Sequence, residues 1–232
     1  MIKLIRNYFR NLRRNSDNKF IYKINLYYEL FVKEKIYIKK RTYSQWGEDL
    51  AIYNFFSQTN CQKIYVDIGA FHPSKYSNTK LLFDDGWRGY NFDINQYSVD
   101  LFKIARPHDQ NRCIGISDRK YEKLVNLSYY IHEQNSLSEK SNKEIKNNLL
   151  KKKLIEISTL NDEVKESFSF LNIDAEGEDL KILQSIDFEK FKPLLICVEI
   201  FNESEKDKFF EILKKNGYSF YKNFNISYIF RK

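Results

Sequence analysis

The chain has 232 residues, 42% of them hydrophobic and 16% aromatic, which is enough for one sizeable core with an appendage. It has no apolar run of about 18 residues and no signal-peptide pattern, so we expect neither a membrane-spanning nor a secreted protein. Its net charge of +8 is unevenly distributed along the chain. Residues 1–41 hold 12 Lys/Arg and 3 Asp/Glu, whereas the remainder holds 27 Lys/Arg and 28 Asp/Glu. This near-neutral remainder argues against nucleic-acid binding by the whole chain. We expect a basic helical extension at 1–41 and one domain at 42–232.

The cysteine pattern indicates the redox environment. Cys61, Cys113 and Cys197 form neither a disulfide framework nor a metal-binding spacing. Cys113 and Cys197 lie in apolar, strand-like runs, which predicts buried thiols. This usage suits a reducing cytoplasm.

The basic extension has an amphipathic start. Residues 1–20 place apolar side chains at roughly helical spacing among arginines, and a second helix with a linker is expected over 21–40. Such an extension packs on the domain, lies on an anionic membrane surface or binds a partner, and the sequence leaves these alternatives open.

The segment Thr42–Asp49 is dense in polar residues and contains a glycine. Thr42 or Ser44 can cap a helix, and Glu48 and Asp49 suit its first turn. An ordinary capped helix explains part of this pattern. The density of polar residues favours a pocket wall as well.

An apolar run at 64–70 stops at Asp67-x-Gly69. Its valine and isoleucines suit a strand buried on both faces, and Gly69 permits a positive φ and close approach of a ligand. Ser77 can cap the helix that follows. Strand, glycine turn and helix form the opening unit of a nucleotide-binding α/β domain, whose ligand lies beyond the carboxyl end of the strand.

The next two predicted strands, at 90–94 and 112–118, also lead to acidic residues. Asp93 can accept both hydroxyls of a ribose, or it can cap the helix predicted at 96–104. Asp118 can meet an adenine amino group, or it can be an ordinary turn residue.

The second half of the chain continues the alternation of strands and helices. A polar stretch at 132–152 predicts an inserted loop or helix that serves as a substrate lid. Thr159 is expected to cap a short helix. Further strands are predicted at 124–131, 154–157, 170–174 and 193–200, followed by a final pair at 218–222 and 226–230.

This alternation, ending in an antiparallel pair, resembles the Rossmann-like class I methyltransferase fold, a mostly parallel seven-stranded sheet. More closely, residues 44–200 resemble the FkbM family of S-adenosylmethionine-dependent methyltransferases. The resemblance rests on an ordered set of short motifs. They are Ser44-Gln45-x-Gly47-Glu48-Asp49, Val66-Asp67-Ile68-Gly69-Ala70-x-x-Pro73, Ser77-Asn78-Thr79, Gly86-Trp87-x-Gly89, Arg106-Pro107, Ile173-Asp174-x-Glu176-Gly177 and the run from Pro193 to Glu199.

The resemblance implies S-adenosylmethionine as cofactor and S-adenosylhomocysteine as product. On this basis Asp67 lies near the cofactor ammonium, the amides at 77–79 receive its carboxylate and Asp93 holds the ribose. The residues expected to bind the cofactor are Tyr43, Ser44, Gln45, Asp67, Gly69, Ala70, Ser77, Asn78, Thr79, Asp93, Ile94, Ser117, Asp118 and Asp174.

Family members commonly O-methylate sugars, so the resemblance implies a saccharide or nucleotide-sugar acceptor. Asp174 is the first candidate for the base, and Glu176 and Glu199 are candidates for positioning the acceptor hydroxyl. His72 and His132 are further candidates for the base, although a histidine in such a position is more often structural or on the surface. These carboxylates could also hold Mg²⁺, but no spacing requires a metal and we predict none.

Three other functions compete with this interpretation. An NAD-linked oxidoreductase normally shows Gly-x-Gly-x-x-Gly, and only Gly69 stands in this turn. A nucleic-acid methyltransferase would use the basic extension, but the sequence has neither the expected Asn/Asp-Pro-Pro-Tyr/Phe run nor a Pro-Cys dipeptide. A non-catalytic tethering protein is the third alternative, and the Asp and Gly residues of the motifs count against it. We predict an O-methyltransferase in the cytoplasm, with peripheral membrane contact through 1–41 as an open alternative.

Overall fold

The structure is a computed structural model that describes residues 19–37, 39–128 and 150–232. The chain divides into two compact units, residues 1–41 and 42–232. Residues 1–18 of the segment predicted at 1–20 and residues 132–149 of the insert predicted at 132–152, with His132, lie outside the described residues. No helix in the described part of the chain is long and apolar enough to cross a membrane.

In the first unit, helix α1 (Lys19–Tyr28) continues into a π-helical turn at Glu29–Lys33 and a 3₁₀ turn at Lys35–Tyr37. Its apolar side chains recur along the helix, as expected for an amphipathic segment.

The second unit alternates strands and helices. Its strands are β1 (Ile64–Ile68), β2 (Arg88–Phe92), β3 (Gln110–Arg112), β4 (Gly115–Ile116), β5 (Tyr121–Ser128), β6 (Leu150–Ser158), β7 (Phe170–Ile173), β8 (Leu195–Glu199), β9 (Ser219–Phe224) and β10 (Ser227–Arg231). Its helices are α2 (Glu48–Phe56), α3 (Lys80–Asp84), α4 (Gln96–Ala105), α5 (Leu160–Glu163), α6 (Asp179–Ser185) and α7 (Lys206–Lys215), with a 3₁₀ turn at Glu203–Glu205.

Seven strands form the main sheet in the order β3-β2-β1-β7-β8-β10-β9. Neighbouring strands are parallel from β3 to β8, and β10 is antiparallel to both β8 and β9. This arrangement confirms the predicted class I methyltransferase fold with its antiparallel C-terminal pair. Because the chain runs outward from β1 to β3 and then returns to β7, the topological switch point lies between β1 and β7.

The central strands are buried because helices cover both faces of the sheet. The whole of β7 and most of β1 and β8 is buried. One face packs α6 and α7 against Val66, Leu171 and Ile196, and the other packs α2 against Tyr65 and Phe170. This rigid frame fixes the carboxyl ends of β1, β7 and β8.

The prediction of one continuous third strand at 112–118 is wrong. The main sheet takes only the polar edge strand Gln110–Arg112, and Gly115–Ile116 joins a separate three-stranded sheet in the order β4-β6-β5. An edge strand buries little, so it needs no apolar run. The apolar residues that suggested the strand, Ile114 and Ile116, pack into the main core instead.

Local capping partly follows the predictions. Thr159 caps α5 by accepting a hydrogen bond from the Asp162 amide, as expected. Asn95, and not Asp93, caps α4. Helix α3 begins after Thr79, and Ser77 does not cap it.

Candidate active site

A partly open cleft with a cavity volume of about 210 Å³ lies at the carboxyl ends of β1, β2 and β7. It is therefore at the switch point, where open α/β sheets bind their ligands. Concave sites lined by apolar side chains and a few polar groups are where proteins bind small molecules.

Most of the predicted site residues meet in this cleft. Those that line it are Gln45, Asp67, Gly69, Ala70, Ser77, Asn78, Asp93, Ile94, Asp174, Glu176 and Glu199. They come from four strand ends and from the segment before α2, so only the fold brings them together.

Gly69 lies where two backbone segments approach most closely. Its φ is +77°, and a Cβ built on it would fall 1.7 Å from the Asp174 carbonyl oxygen. Its amide, together with that of Ala70, donates to the Phe92 carbonyl. The turn after β1 is thus held between the ends of β2 and β7, and no side chain fits at this position.

We expect Gly69→Ala to destabilise the domain by more than about 2 kcal/mol, since left-handed backbone alone costs an alanine roughly 1–2 kcal/mol. The remaining cost arises because the overlapping atom is backbone and cannot rotate away. Thermal unfolding measures the loss of stability, and a titration with S-adenosylmethionine measures the accompanying loss of affinity.

Gly86→Ala is the matched control. Gly86 has a similar φ of +84°, but a Cβ there meets no atom within 4 Å. Its substitution should cost only the backbone strain and leave ligand affinity unchanged. Equal losses of stability in the two variants would show that close packing at Gly69 is unimportant.

Asp67 is buried at the end of β1, and both of its carboxylate oxygens accept hydrogen bonds. Thr79 Oγ1 donates to Oδ2 at 2.7 Å, and Asn172 Nδ2 donates to Oδ1 at 2.9 Å. Asn78 Nδ2 in turn donates to Asn172 Oδ1 at 3.0 Å. Burial raises the pKa of Asp67, while these bonds act against the rise. Each carboxylate oxygen keeps a lone pair for a ligand.

Arg106 supports this network from beneath. Its fully buried guanidinium donates to Thr79 Oγ1 at 2.8 Å and to Ser77 Oγ at 3.0 Å. It also donates to the Pro73 carbonyl at 2.5 Å and to Tyr65 Oη at 2.9 Å. One side chain therefore fixes the loop between β1 and α3 against the sheet.

Asp93 follows β2 and holds the turn after β1. Its Oδ2 accepts from the Phe71 amide at 2.9 Å and from Ser98 Oγ at 3.0 Å. Its Oδ1 accepts from the Asn95 amide at 2.7 Å. Burial raises the pKa of Asp93 to about 6, and these bonds oppose the rise. Asp93 thus shapes the turn as well as facing the cleft.

Asp174 and Glu199 form a carboxyl pair at the ends of β7 and β8. They are hydrogen-bonded to each other. Burial, together with the charges of Glu199, Asp179 and Glu176, raises the pKa of Asp174 well above its usual range. Burial likewise raises the pKa of Glu199 to about 8. Without a bound cation, the pair therefore retains a proton at neutral pH.

The acidic turn after β7 is held by Asp179. Its two oxygens accept from the Ala175 and Gly177 amides, each at 2.9 Å. Glu178 accepts from Ser117 Oγ at 2.9 Å, on the side away from the cleft. These two carboxylates shape the turn, which leaves Asp174 and Glu176 to face the cleft.

Non-glycine residues in left-handed conformations border the cleft. Phe71 and Tyr76 both have φ of 55°, and Glu176 has φ of 49°. Such conformations cost energy and are concentrated at functional sites. Here they turn side chains toward the cleft.

Two predicted cofactor residues before α2 do not line the cleft. The Tyr43 amide and Ser44 Oγ donate to Asp49 at 2.6 and 2.7 Å. Asp49 is fully buried and needs these donors, so it draws Tyr43 and Ser44 inward. Gln45, the next residue, is left facing the cleft.

Glu48 lines the cleft, although it was named individually only for the helix start and was otherwise included in the segment expected to form a pocket wall. It is buried, and its carboxylate accepts from the Trp46 amide at 2.9 Å and from Ser227 Oγ at 3.1 Å. A glutamate in a first helical turn usually faces solvent, so its spacing gave no signal of the cleft.

Thr79, Ser117, Asp118 and His72 also lie outside the lining. Thr79 is buried under Asp67, and Ser117 is turned to Glu178. Asp118 is exposed because β4 belongs to the second sheet. His72 is buried, and its Nδ1 accepts from the Ser74 and Lys75 amides at 3.0 and 2.9 Å. It therefore shapes the turn and does not reach the cleft.

Other lining residues were not predicted as site residues. Asn172 carried a usable signal, because an amide inside a strand buried on both faces needs a polar partner. The rest are ordinary core or loop types that gave none. They are Ile68, Phe71, Tyr76, Phe92, Asn95, Ser98, Ile114, Gly115, Ile116, Ala175, Phe201 and Ile226.

The charge of the cleft is one-sided. Six carboxylates line it, and the described lining residues include no Lys, Arg or His. The carboxylates belong to Glu48, Asp67, Asp93, Asp174, Glu176 and Glu199. S-adenosylmethionine has a sulfonium, an ammonium and a single carboxylate, so its net positive charge fits this lining.

The described residues contain no group of three or more His, Cys, Asp or Glu side chains arranged to hold a metal ion.

Comparison with known proteins adds a family assignment. The model of the methyltransferase FkbM domain family matches residues 67–220. No curated protein matches the chain. Similar solved structures include a methyltransferase FkbM from Methylobacillus flagellatus KT (13% identity, TM-score 0.48), aligned over all of this chain and 60% of that one. Another is a precorrin-6y C5,15-methyltransferase from Geobacter metallireducens GS-15 (12% identity, TM-score 0.44), aligned over 86% of this chain and 95% of that one. The chain thus spans about three fifths of the first of these proteins.

Proposed function

The chain belongs to the FkbM family of methyltransferases, and on this premise we propose that it is an S-adenosylmethionine-dependent O-methyltransferase acting on a sugar hydroxyl. The acceptor sugar belongs to a polysaccharide precursor or a nucleotide-linked sugar. The observation that carries the proposal is the acidic cleft at the switch point, which holds a carboxyl pair at the ends of β7 and β8.

The cofactor end of the cleft is assigned to the residues after β1 and β2. Asp67 faces the ammonium of the methionine portion, and Asp93 accepts from the ribose hydroxyls. Ile94 lies beside the adenine, together with Ile114 and Ile116. The glycine turn brings backbone, without a side chain, against the methionine portion.

When bound, S-adenosylmethionine supplies a methyl group carried on a sulfonium. The acceptor oxygen forms a bond to the methyl carbon, and the electrons of the broken carbon–sulfur bond stay on sulfur. The proton of the acceptor hydroxyl must then go to a base. Asp174 is assigned as that base, with Glu199 as its hydrogen-bonded partner. Glu176, in the strained turn, orients the acceptor hydroxyl. Alignment and exclusion of water supply most of the remaining acceleration.

An uncharged part of the acceptor suits this cleft best. A phosphate placed against six carboxylates would be repelled, so the diphosphate of a nucleotide sugar would have to remain outside the lining. The sugar ring itself can pack on the exposed Phe201 ring at the mouth.

Asp93→Ala should weaken S-adenosylmethionine binding by about 10- to 100-fold, because a hydrogen bond to a charged group contributes roughly 1.5–3 kcal/mol. The variant should also unfold at a lower temperature, since the Phe71 and Asn95 amides lose their acceptor. Calorimetric titration at pH 7.5, above the raised pKa of Asp93, measures the affinity.

Asp207→Ala, an exposed change on α7, is the control and should match the unmodified protein. Unchanged cofactor affinity in Asp93→Ala would remove Asp93 from the ribose site. Because the alanine change also disturbs the turn, Asp93→Asn is the gentler second variant and should lose affinity in the same direction.

The activity itself is tested by transfer of a labelled methyl group. The protein is incubated with methyl-labelled S-adenosylmethionine and a panel of neutral oligosaccharides, nucleotide sugars, RNA and DNA, with and without EDTA. We expect label in a carbohydrate fraction, unaffected by EDTA. Label in nucleic acid alone would replace the sugar acceptor, and cofactor binding without transfer to any member would favour the non-catalytic alternative.

A further inference from the structure

The pair at the ends of β7 and β8 raises a question about its own charge state. A base must be ionised to take a proton, yet burial raises the pKa of Asp174 well above its usual range and the pKa of Glu199 to about 8, so both carboxyls favour their protonated forms when no cation is present. Something in the catalytic cycle must therefore remove a proton before the acceptor reacts.

The surroundings of the pair explain why it is protonated. Adjacent parallel strands place the two side chains together, since Ile173 pairs with Val198 and each carboxyl residue follows directly. Further ionisable groups lie around the pair on α2, β1, β8 and the turn after β7. These are Glu176 and Asp179 from the turn after β7, Glu48 from α2 and Asp67 from β1, with the Cys197 thiol on β8.

No described cation compensates for these charges inside the cleft. The only described lysine bonded to this turn, Lys181, pairs with Glu178 on its outer side. The carboxylates of the cleft therefore repel one another until a positively charged ligand arrives. A cationic ligand within about 4–6 Å of a carboxyl typically lowers its pKa by about 1–3.

We propose that the Asp174–Glu199 pair releases a proton when the cleft receives the cationic cofactor, so that cofactor binding itself generates the base. This inference rests on the proposed function of the cleft. In the sulfonium-loaded state the pair is an ionised acceptor. After methyl transfer it holds the proton of the acceptor hydroxyl, and the neutral thioether product leaves it protonated.

Two related ligands should differ in the number of protons that they release on binding. S-adenosylmethionine and S-adenosylhomocysteine have the same ribose, adenine and amino-acid portion, so Asp67 and Asp93 meet the same groups in both. They differ only in the methyl group on sulfur and in the positive charge that it gives the sulfur. A difference in the number of protons released therefore reports on groups that sense the sulfur.

The experiment is calorimetric titration of the full chain at pH 7.0 with each ligand, in phosphate and in Tris, whose ionisation enthalpies differ. The dependence of the binding enthalpy on the buffer gives the number of protons released. The pKa of Glu199 is about 8. If the sulfonium lowers this pKa by about 1–3, S-adenosylmethionine should release roughly 0.4–0.9 proton more than S-adenosylhomocysteine.

Glu199→Gln tests the assignment, because it removes one ionisable member and keeps the shape. It should bind both ligands and release equal numbers of protons with each. Glu203→Gln, an exposed change just beyond β8, should behave as the unmodified chain. Thermal unfolding at pH 8.5 confirms folding, and unliganded Glu199→Gln should be the more stable there because a like charge is lost.

Equal proton release by the two ligands in the unmodified chain would overturn the proposal. An undiminished difference in Glu199→Gln would overturn the role of the pair. Failure of both ligands to bind would instead contradict the proposed function of the cleft.

Discussion

Asp174→Asn should lower the rate of methyl transfer by about 10²–10⁴-fold, the usual contribution of a positioned acid or base. The substitution keeps the size and the hydrogen bonding of the side chain but cannot take a proton. Its affinity for S-adenosylmethionine should change less than its turnover, because the main cofactor contacts are assigned to the ends of β1 and β2. Turnover is measured with an acceptor found in the carbohydrate panel, and affinity by calorimetry.

The separation of turnover from affinity is what distinguishes a base from a structural residue. A merely structural Asp174 would lose affinity and stability together with turnover. Asp187→Asn, outside the cleft lining and in the loop before β8, should leave turnover at the level of the unmodified chain. Near-normal turnover in Asp174→Asn would rule out Asp174 as the base.

Arg106→Met should lower the free energy of unfolding by about 3–5 kcal/mol, the cost of removing one partner from a buried charged network. The variant loses the donors to Ser77, Thr79, Tyr65 and the Pro73 carbonyl. For a domain of this size the midpoint of thermal unfolding should fall by roughly 6–20 °C, at about 2–4 °C per kcal/mol.

Arg106→Lys separates charge from geometry. Lysine keeps the charge but cannot match a planar guanidinium that donates to four groups at once, so we expect an intermediate loss. Arg112→Met removes a half-exposed arginine paired with Glu163 and should cost less than about 1 kcal/mol. If Arg106→Met cost no more than this control, the buried network would not stabilise the loop.

The sequence was most informative where a local structural requirement restricts the residue types that can stand at a position. The apolar run before Asp67-x-Gly69 predicted a buried strand and a tight turn, and the structure places both at the switch point. Alternation of such runs with helical segments was sufficient to predict the sheet and its antiparallel end. These are local requirements, so local patterns reveal them.

The sequence was least informative where the partner of a side chain lies far away in the chain. Tyr43 and Ser44 looked like cleft residues, but Asp49 binds them. Arg106 appeared only as part of a short motif, and its partners lie 27 to 41 residues away. No period or spacing in the sequence encodes such contacts.

Strand assignment near Asp118 failed for a related reason. Ile114 and Ile116 are apolar because they pack into the core, not because the main sheet continues through them. The pairing of Asp174 with Glu199 was also beyond the sequence, since 25 residues separate them and only the β7–β8 register brings them together. The role of the basic residues at 1–41 stays a prediction.

The most direct test of the central claim is calorimetric titration of the full chain with S-adenosylmethionine and, separately, with NADH. We predict micromolar binding of S-adenosylmethionine and no binding of NADH, because the acidic cleft suits a cation and repels a diphosphate. Binding of NADH alone would contradict the account, and binding of neither by the folded chain would show that the cleft is not a cofactor site by itself.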